Sequence, residues 1–65
     1  MKGQQLKRVR NIIGLTQKEL SEKSGVSFKS VQLYEQGRMD INNASVSRVM
    51  RLAKALGVEI TDILD

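Results

Sequence analysis

The stretch Phe28–Gln36 places side chains for hydrogen bonding and apolar contact on one side of a potential helix. On a wheel of about 100° per residue, an arc of roughly 140° collects five of them: Phe28, Lys29, Gln32, Leu33 and Gln36. Val31 and Tyr34 fall on the other side as natural core anchors, so we expect the arc to face outward. Glutamine can make two hydrogen bonds to adenine, lysine can reach guanine or a phosphate, and apolar groups suit the thymine methyl. The arc therefore has the chemistry to read base edges in DNA.

A solvated polar surface is the alternative explanation for Lys29, Gln32 and Gln36. That explanation does not account for Phe28 and Leu33, which would then be large apolar groups exposed on a small protein. We therefore expect these two side chains to contact either DNA or a protein partner.

Two short helices joined at a glycine are predicted to position this arc. The first, Gln17–Ser24, follows Thr16, which can cap it, and Glu19 can complete a capping box. Gly25 favours the left-handed conformation that ends a helix, and Ser27 can cap the second helix. Two helices joined by so tight a turn cross steeply, and the second is pushed outward, where it can enter a DNA groove.

Two further helices flank this motif, each with an apolar stripe at spacings of three and four residues. The first is predicted over Lys2–Ile13, and the other over Ala44–Leu56 with Asn43 as its cap. The first stripe is Leu6, Val9 and Ile13. The second stripe is Val46, Val49, Met50, Ala53 and Leu56. We expect both stripes, including Met50, to lie in the core.

After Gly57, Val58 and Ile60 lead into a brief last turn that holds Ile63 and Leu64. No segment alternates with period two for long enough to predict a strand. The predicted fold is therefore all-α: one compact five-helix domain over residues 1–65, with the two-helix motif at about residues 16–37.

Positive charge is concentrated in the part of the chain that contains this motif. The net charge is +4 over 65 residues, and residues 1–38 contribute eight Lys/Arg against three Asp/Glu. Residues 39–65 contain three Lys/Arg and four Asp/Glu. This distribution favours a polyanionic partner for the motif.

The sequence contains no cysteine and no histidine, which removes the commonest zinc ligands and the commonest acid–base catalyst. The carboxylates are scattered over several predicted helices, so an enzyme is not expected, and neither a metal nor a cofactor is predicted. No apolar run approaches 18 residues and no secretory signal is present. We therefore expect a cytoplasmic protein that does not associate with a membrane.

Several local signatures extend over most of the chain, from about Leu6 to Leu64. They are Leu15-Thr16-Gln17 with Glu19-Leu20, Ser24-Gly25-Val26-Ser27, Val31, Tyr34-Glu35-Gln36-Gly37, and the run from Leu52 to Val58. In combination they resemble the lambda-repressor-like, Cro/C1-type (XRE-like) helix-turn-helix family. The resemblance implies a five-helix domain that binds double-stranded DNA sequence-specifically, usually as a dimer on a palindrome. It also implies control of transcription, with repression as the expected mode.

The resemblance implies roles for particular residues. Gln17, at the start of the second helix, would contact a phosphate, and Thr16 would act first as a cap and second as a DNA contact. The residues in or beside the groove would be Ser27, Phe28, Lys29, Gln32, Leu33 and Gln36. Arg38, Asn42 and Asn43 would approach the DNA backbone on the flank of the recognition helix.

Three residues depart from the common pattern of that family. Phe28 and Leu33 stand where polar readers are common, and Asp40 places a negative charge in a loop that commonly contacts phosphates. The alternative function is therefore a protein-interaction module, such as an antitoxin-like or adaptor protein that contacts a partner, for instance a toxin, through Phe28 and Leu33.

Two structural contacts are also implied by the resemblance. Arg10 and Glu35 would form an ion pair, with two separate solvated charges as the alternative. The region after the fourth helix often forms the dimer contact in the family, which predicts a homodimer through Ile60, Ile63 and Leu64. The alternative is a monomer that uses these residues internally.

Overall fold

The computed structural model describes residues 3–65, which form four α-helices joined by short connections. The helices are α1 (Gln4–Ile13), α2 (Gln17–Ser24), α3 (Phe28–Glu35) and α4 (Val46–Leu56). Single 3-10 turns, Ile41–Asn43 and Ile60–Asp62, precede and follow α4. Residues 3–65 contain no strand, so the all-α prediction is confirmed for them. None of the helices they form is long and apolar enough to cross a membrane.

The predicted fifth helix is a single 3-10 turn rather than an α-helix. Its three residues, Ile60–Asp62, are closed by the Ile63 N–H, which donates to the Ile60 carbonyl at 3.1 Å. The Glu59 N–H donates to the carboxylate of Asp62 at 3.0 Å. A segment this short gains too few hydrogen bonds to offset the entropy of starting an α-helix, so one turn forms and stops.

The turn between α2 and α3 is built as predicted. Thr16 Oγ1 accepts from the Glu19 N–H at 3.0 Å, and Glu19 Oε1 accepts from the Thr16 N–H at 2.9 Å. Hydrogen bonding from the backbone and side chain of Thr16 to the carboxylate holds the pKa of Glu19 below its ordinary value. Gly25 ends α2 with a φ of 73°, where a side chain would be strained. Ser27 Oγ then accepts from the Ser30 N–H at 3.1 Å and starts α3.

The start of α4 differs from the prediction that Asn43 caps a helix beginning at Ala44. Ser45 is the cap, and its Oγ accepts from the Arg48 N–H at 3.2 Å. Asn43 instead belongs to the preceding 3-10 turn, and its side-chain amide donates to Asp40 Oδ2 at 3.4 Å. Because Asp40 caps that separate turn, the chain passes through extended backbone at Ala44 before α4 begins.

The first predicted helix also begins later in the structure than its sequence pattern suggests. Its predicted first residue, Lys2, lies outside the described residues, and α1 begins at Gln4 after Gly3, whose φ is 85°. A Cβ at Gly3 would overlap the carbonyl oxygen of Tyr34, so only glycine fits at this contact between α1 and α3.

The core lies where all four helices and the last turn meet. Its buried apolar side chains are Leu6, Leu20, Val26, Val31, Tyr34, Ile41, Val49, Leu52, Ala53, Leu56 and Ile63. Three stripe residues predicted to be buried are exposed instead: Ile13, Val46 and Met50. Met50 and Val46 point away because α4 contacts the domain along one side only, through Val49 and its neighbours. Ile13 ends α1, where the chain turns back and Leu15 packs against the core in its place.

Candidate nucleic-acid interface

A buried ion pair between Arg10 and Glu35 joins α1 to α3. Arg10 Nε donates to Glu35 Oε2 at 2.7 Å, and Nη2 donates to Glu35 Oε1 at 2.9 Å. The two side chains are only 10% and 2% exposed. The third arm of the guanidinium, Nη1, donates to the Leu15 carbonyl at 2.8 Å. The hydrogen bonds to Glu35 hold the pKa of Arg10 above its ordinary value, so the arginine is charged throughout the accessible pH range.

Gln17 adds α2 to this network. Its Nε2 donates to Glu35 Oε1 at 3.1 Å, so the first residue of α2 is tied to the last residue of α3. Sequence reasoning missed this bond, because it joins two helices whose crossing is set by the turn at Gly25. The Arg10–Glu35–Gln17 network therefore holds the helix-turn-helix unit at a defined angle on α1.

The outward face of α3 is the side on which the predicted reading residues lie. Lys29 and Gln36 are exposed, Phe28 is 44% exposed, and Gln32 is half-buried. Val31 and Tyr34 on the opposite side are buried, which confirms the predicted orientation of the helix.

Leu33 is less accessible than the sequence suggests. It was expected as an exposed contact residue, but it is half-buried at the edge of the outward face. The chain folds back over this point: the N–H groups of Arg38 and Met39 both donate to the Leu33 carbonyl, at 2.9 and 3.1 Å. The exposed apolar group on α3 is therefore Phe28 alone.

The residues predicted to contact the DNA backbone beside α3 differ in the exposure and hydrogen bonding of their side chains. Arg38 is exposed just after the turn at Gly37. The Asn42 side chain is engaged with Asp65: its Nδ2 donates to the Asp65 carbonyl and its Oδ1 accepts from the Asp65 N–H, both at 3.0 Å. Arg38 is thus exposed shortly after the end of α3, whereas the side-chain amide of Asn42 is hydrogen-bonded to Asp65.

Arg48 is a further basic residue of this region that sequence reasoning did not single out. Its Nη1 donates to the Tyr34 hydroxyl at 3.1 Å, which places a cation between α3 and the start of α4. An open cleft of about 440 Å³ lies here, and it is lined by Tyr34, Met39, Asp40, Asn43, Ala44, Ser45 and Arg48. The sequence gives little indication of this contact, because only the packing of α4 brings Arg48 beside Tyr34.

Comparison with protein families and curated proteins gives consistent matches. A model of the helix-turn-helix family matches residues 6–63 of this chain. The chain is similar to an "Uncharacterized transcriptional regulator in ATPase CF(0) region" of Rhodospirillum rubrum, with 43% identity over 58 residues. That alignment covers 89% of this chain and 51% of the relative, so the chain spans about half of the relative's length.

Two solved structures share the fold closely. The restriction-modification controller protein C.AhdI from Aeromonas hydrophila superposes with a TM-score of 0.84 at 32% identity, over 95% of this chain and 89% of that one. SinR, described as the master regulator for biofilm formation and solved in complex with DNA, superposes with a TM-score of 0.85 at 27% identity. The latter match covers 95% of this chain and 98% of the chain in that structure.

Proposed function

The chain belongs to the lambda-repressor-like helix-turn-helix family, and from that premise we propose that it binds double-stranded DNA sequence-specifically and regulates transcription. The observation that carries the proposal is the outward face of α3, held at a defined angle by the buried Arg10–Glu35–Gln17 network. A recognition helix needs such support, because base edges are read only when the helix is presented rigidly to the major groove.

On α3, Lys29 and Gln32 are the proposed readers of base edges, and Phe28 is placed to contact a thymine methyl. Gln36 lies on the same face. Ser27 and the half-buried Leu33 lie at the border of this face, where we expect them to limit how closely the DNA groove approaches α3.

Phosphate contacts are proposed at the start of α2 and in the loop after α3. The N-terminal N–H groups and the dipole of α2 favour an anion beside Thr16 and Gln17. Arg38 supplies a positive charge on the flank, near the turn that holds Asn43. The Asn42 side chain would have to leave Asp65 to reach a phosphate, so its contribution is the smallest of the set.

We propose that the protein acts in the cytoplasm and that it represses transcription. A domain that fills the major groove excludes other proteins from the same base pairs, so repression requires no contact beyond DNA binding itself.

The test is an unbiased selection of DNA sites, followed by binding measurements at increasing salt. We expect one enriched motif and a steep, linear loss of log affinity with log salt, because phosphate contacts release counterions. A protein-interaction module using the exposed Phe28 is the second candidate function. It predicts no enriched motif and protein binding that depends little on salt.

We further propose a weak homodimer on palindromic DNA. Ile63 was expected to form part of its contact, but Ile63 is fully buried in the domain's own core and cannot. Ile60 and Leu64 remain half-buried and line a shallow cleft of about 150 Å³ together with Ile41 and Ala44. A twofold contact there would set two recognition helices on one side of the duplex, about 34 Å apart.

Sedimentation of the wild type and of Leu64→Asp tests this dimer. We expect concentration-dependent association in the wild type and none in Leu64→Asp, since a carboxylate buried in an apolar contact is unpaired. Thr61→Asp, an exposed change on the neighbouring turn, serves as the matched control. A wild type that stays monomeric at high concentration and occupies single half-sites on DNA would rule the dimer out.

A further inference from the structure

The outward side of α4 carries exposed apolar and basic groups that the proposed DNA interface does not use. On a wheel of about 100° per residue, the buried Val49, Leu52, Ala53 and Leu56 share one arc. The opposite arc holds Val46, Ser47, Met50, Arg51 and Lys54, and all of these are exposed. Met50 lies in this arc between Val46 and Lys54, and it is 54% exposed.

Two open clefts join on this side of the molecule. One, of about 560 Å³, is lined by Val46, Ser47, Met50, Arg51 and Lys54. The other, of about 440 Å³, lies between the end of α2 and α4 and is lined by Lys23, Ser24, Arg51, Lys54 and Ala55. Because Arg51 and Lys54 line both clefts, the surface is continuous. We define the α4 outer surface as Lys23, Ser47, Met50, Arg51 and Lys54.

The charge of the α4 outer surface has one sign. Lys23, Arg51 and Lys54 supply three positive charges, and no carboxylate lines either cleft. This surface is also separate from the proposed DNA contacts on α2. Lys23 lies near the C-terminal end of that helix, roughly 9 Å along the axis from Gln17 at its start.

We propose that the α4 outer surface binds an acidic amphipathic helix of a partner protein. An apolar residue of that helix packs on Met50, and its flanking carboxylates pair with Lys23, Arg51 and Lys54. Methionine is flexible and polarizable, which suits it to an apolar anchor that receives a partner side chain. Helix-in-groove recognition combines an apolar stripe with complementary charges in this way.

A protein helix fits this surface better than a second DNA duplex does. A phosphate backbone would pair with the three cations but would leave Met50 covered by a polar, hydrated strand. A partner bound here leaves the outward face of α3 open. The domain can then hold DNA and an acidic helix at the same time, which goes beyond the DNA binding proposed above.

The probe is a capped 14-residue helical peptide with leucines along one side and glutamates flanking them. Its matched control has glutamine at each glutamate position. Titration into the isotope-labelled full chain is followed by the backbone amide signals. We expect shifts confined to Lys23 and to α4 around Met50 and Lys54, and roughly tenfold weaker binding of the glutamine peptide.

Charge reversal locates the site independently of the peptide. Arg51→Glu combined with Lys54→Glu is expected to weaken binding of the glutamate peptide at least tenfold. The control variant, Lys7→Glu combined with Lys18→Glu, changes the net charge equally at exposed positions outside this surface. It is expected to leave binding of the glutamate peptide nearly unchanged. Both double variants alter exposed side chains, and thermal unfolding verifies that they fold.

Three outcomes would overturn the proposal: shifts centred on another surface, equal weakening by the two double variants, or a preference of this surface for a short DNA duplex of unrelated sequence. DNA-site selection with the Arg51 and Lys54 double variant separates this proposal from the previous one. We expect the same enriched motif as for the wild type, whichever way the peptide experiment turns out.

Discussion

Glu35→Ala is expected to lower the free energy of unfolding by about 3–5 kcal/mol, because it leaves the guanidinium of Arg10 buried without its carboxylate. It also removes the acceptor of the Gln17 hydrogen bond, so α1, α2 and α3 lose the side chain that links them. For a domain of this size the change is comparable with the whole stability of about 5 kcal/mol. Thermal unfolding is expected to show a fall in Tm of roughly 15 °C or more.

A double-mutant cycle isolates the pair from the general cost of truncation. Arg10→Ala, Glu35→Ala and the double variant are expected to give a coupling energy of about 1 kcal/mol or more. The coupling is expected to persist in 1 M salt, because a buried pair is screened little. Glu22→Gln, an exposed change on α2, is the control and is expected to stay within about 0.5 kcal/mol of the wild type. A coupling near zero would show that the two charges act separately despite their short contact.

Lys29→Ala and Gln32→Ala are each expected to weaken binding to the selected DNA site by about 1–3 kcal/mol, if each side chain makes a bidentate contact to a base. The loss is expected to depend on the DNA sequence. Each variant should discriminate less than the wild type between the selected site and a site altered at one base pair. If Lys29 instead contacts a phosphate, affinity falls for all sequences and the salt slope decreases by about 0.9.

Two comparisons control this measurement. Lys54→Ala removes one positive charge from the α4 outer surface and is expected to change specific affinity little, since Lys54 is exposed and no residue of α3 lines the clefts beside it. Unfolding of Lys29→Ala and Gln32→Ala should match the wild type, because neither residue belongs to the core. Unchanged DNA affinity in both folded variants would remove the outward face of α3 from the proposed interface.

Local features of the chain were predictable because their causes lie within a few residues. The capping box of Thr16 and Glu19 and the glycine stop at Gly25 each depend on hydrogen bonds or φ angles inside one turn. The orientation of α3 followed from helical spacing, with Val31 and Tyr34 turned inward. The ion pair of Arg10 and Glu35, 25 residues apart, was expected only from the family resemblance. Nothing in its spacing indicates that contact.

Other features depended on how the helices pack, and here the sequence misled. Met50 continues an apolar stripe, but α4 meets the domain along a narrower side than that stripe, so Met50 is exposed. Asn43 resembles a helix cap, but it belongs to the competing 3-10 turn capped by Asp40, so Ser45 caps α4 and the helix begins at Val46.

The amino-acid sequence by itself determined the helical elements, the glycine turn between α2 and α3, and the outward chemistry of α3. These follow from local hydrogen bonding and from helical periodicity, which act over short stretches of chain. Only the tertiary structure decided that Ile63 is buried, that Gln17 is tied to Glu35, and that the outer side of α4 is left uncovered. The physical reason is that burial is a property of the contact between elements, and an apolar residue on a helix carries no mark of whether another element covers it.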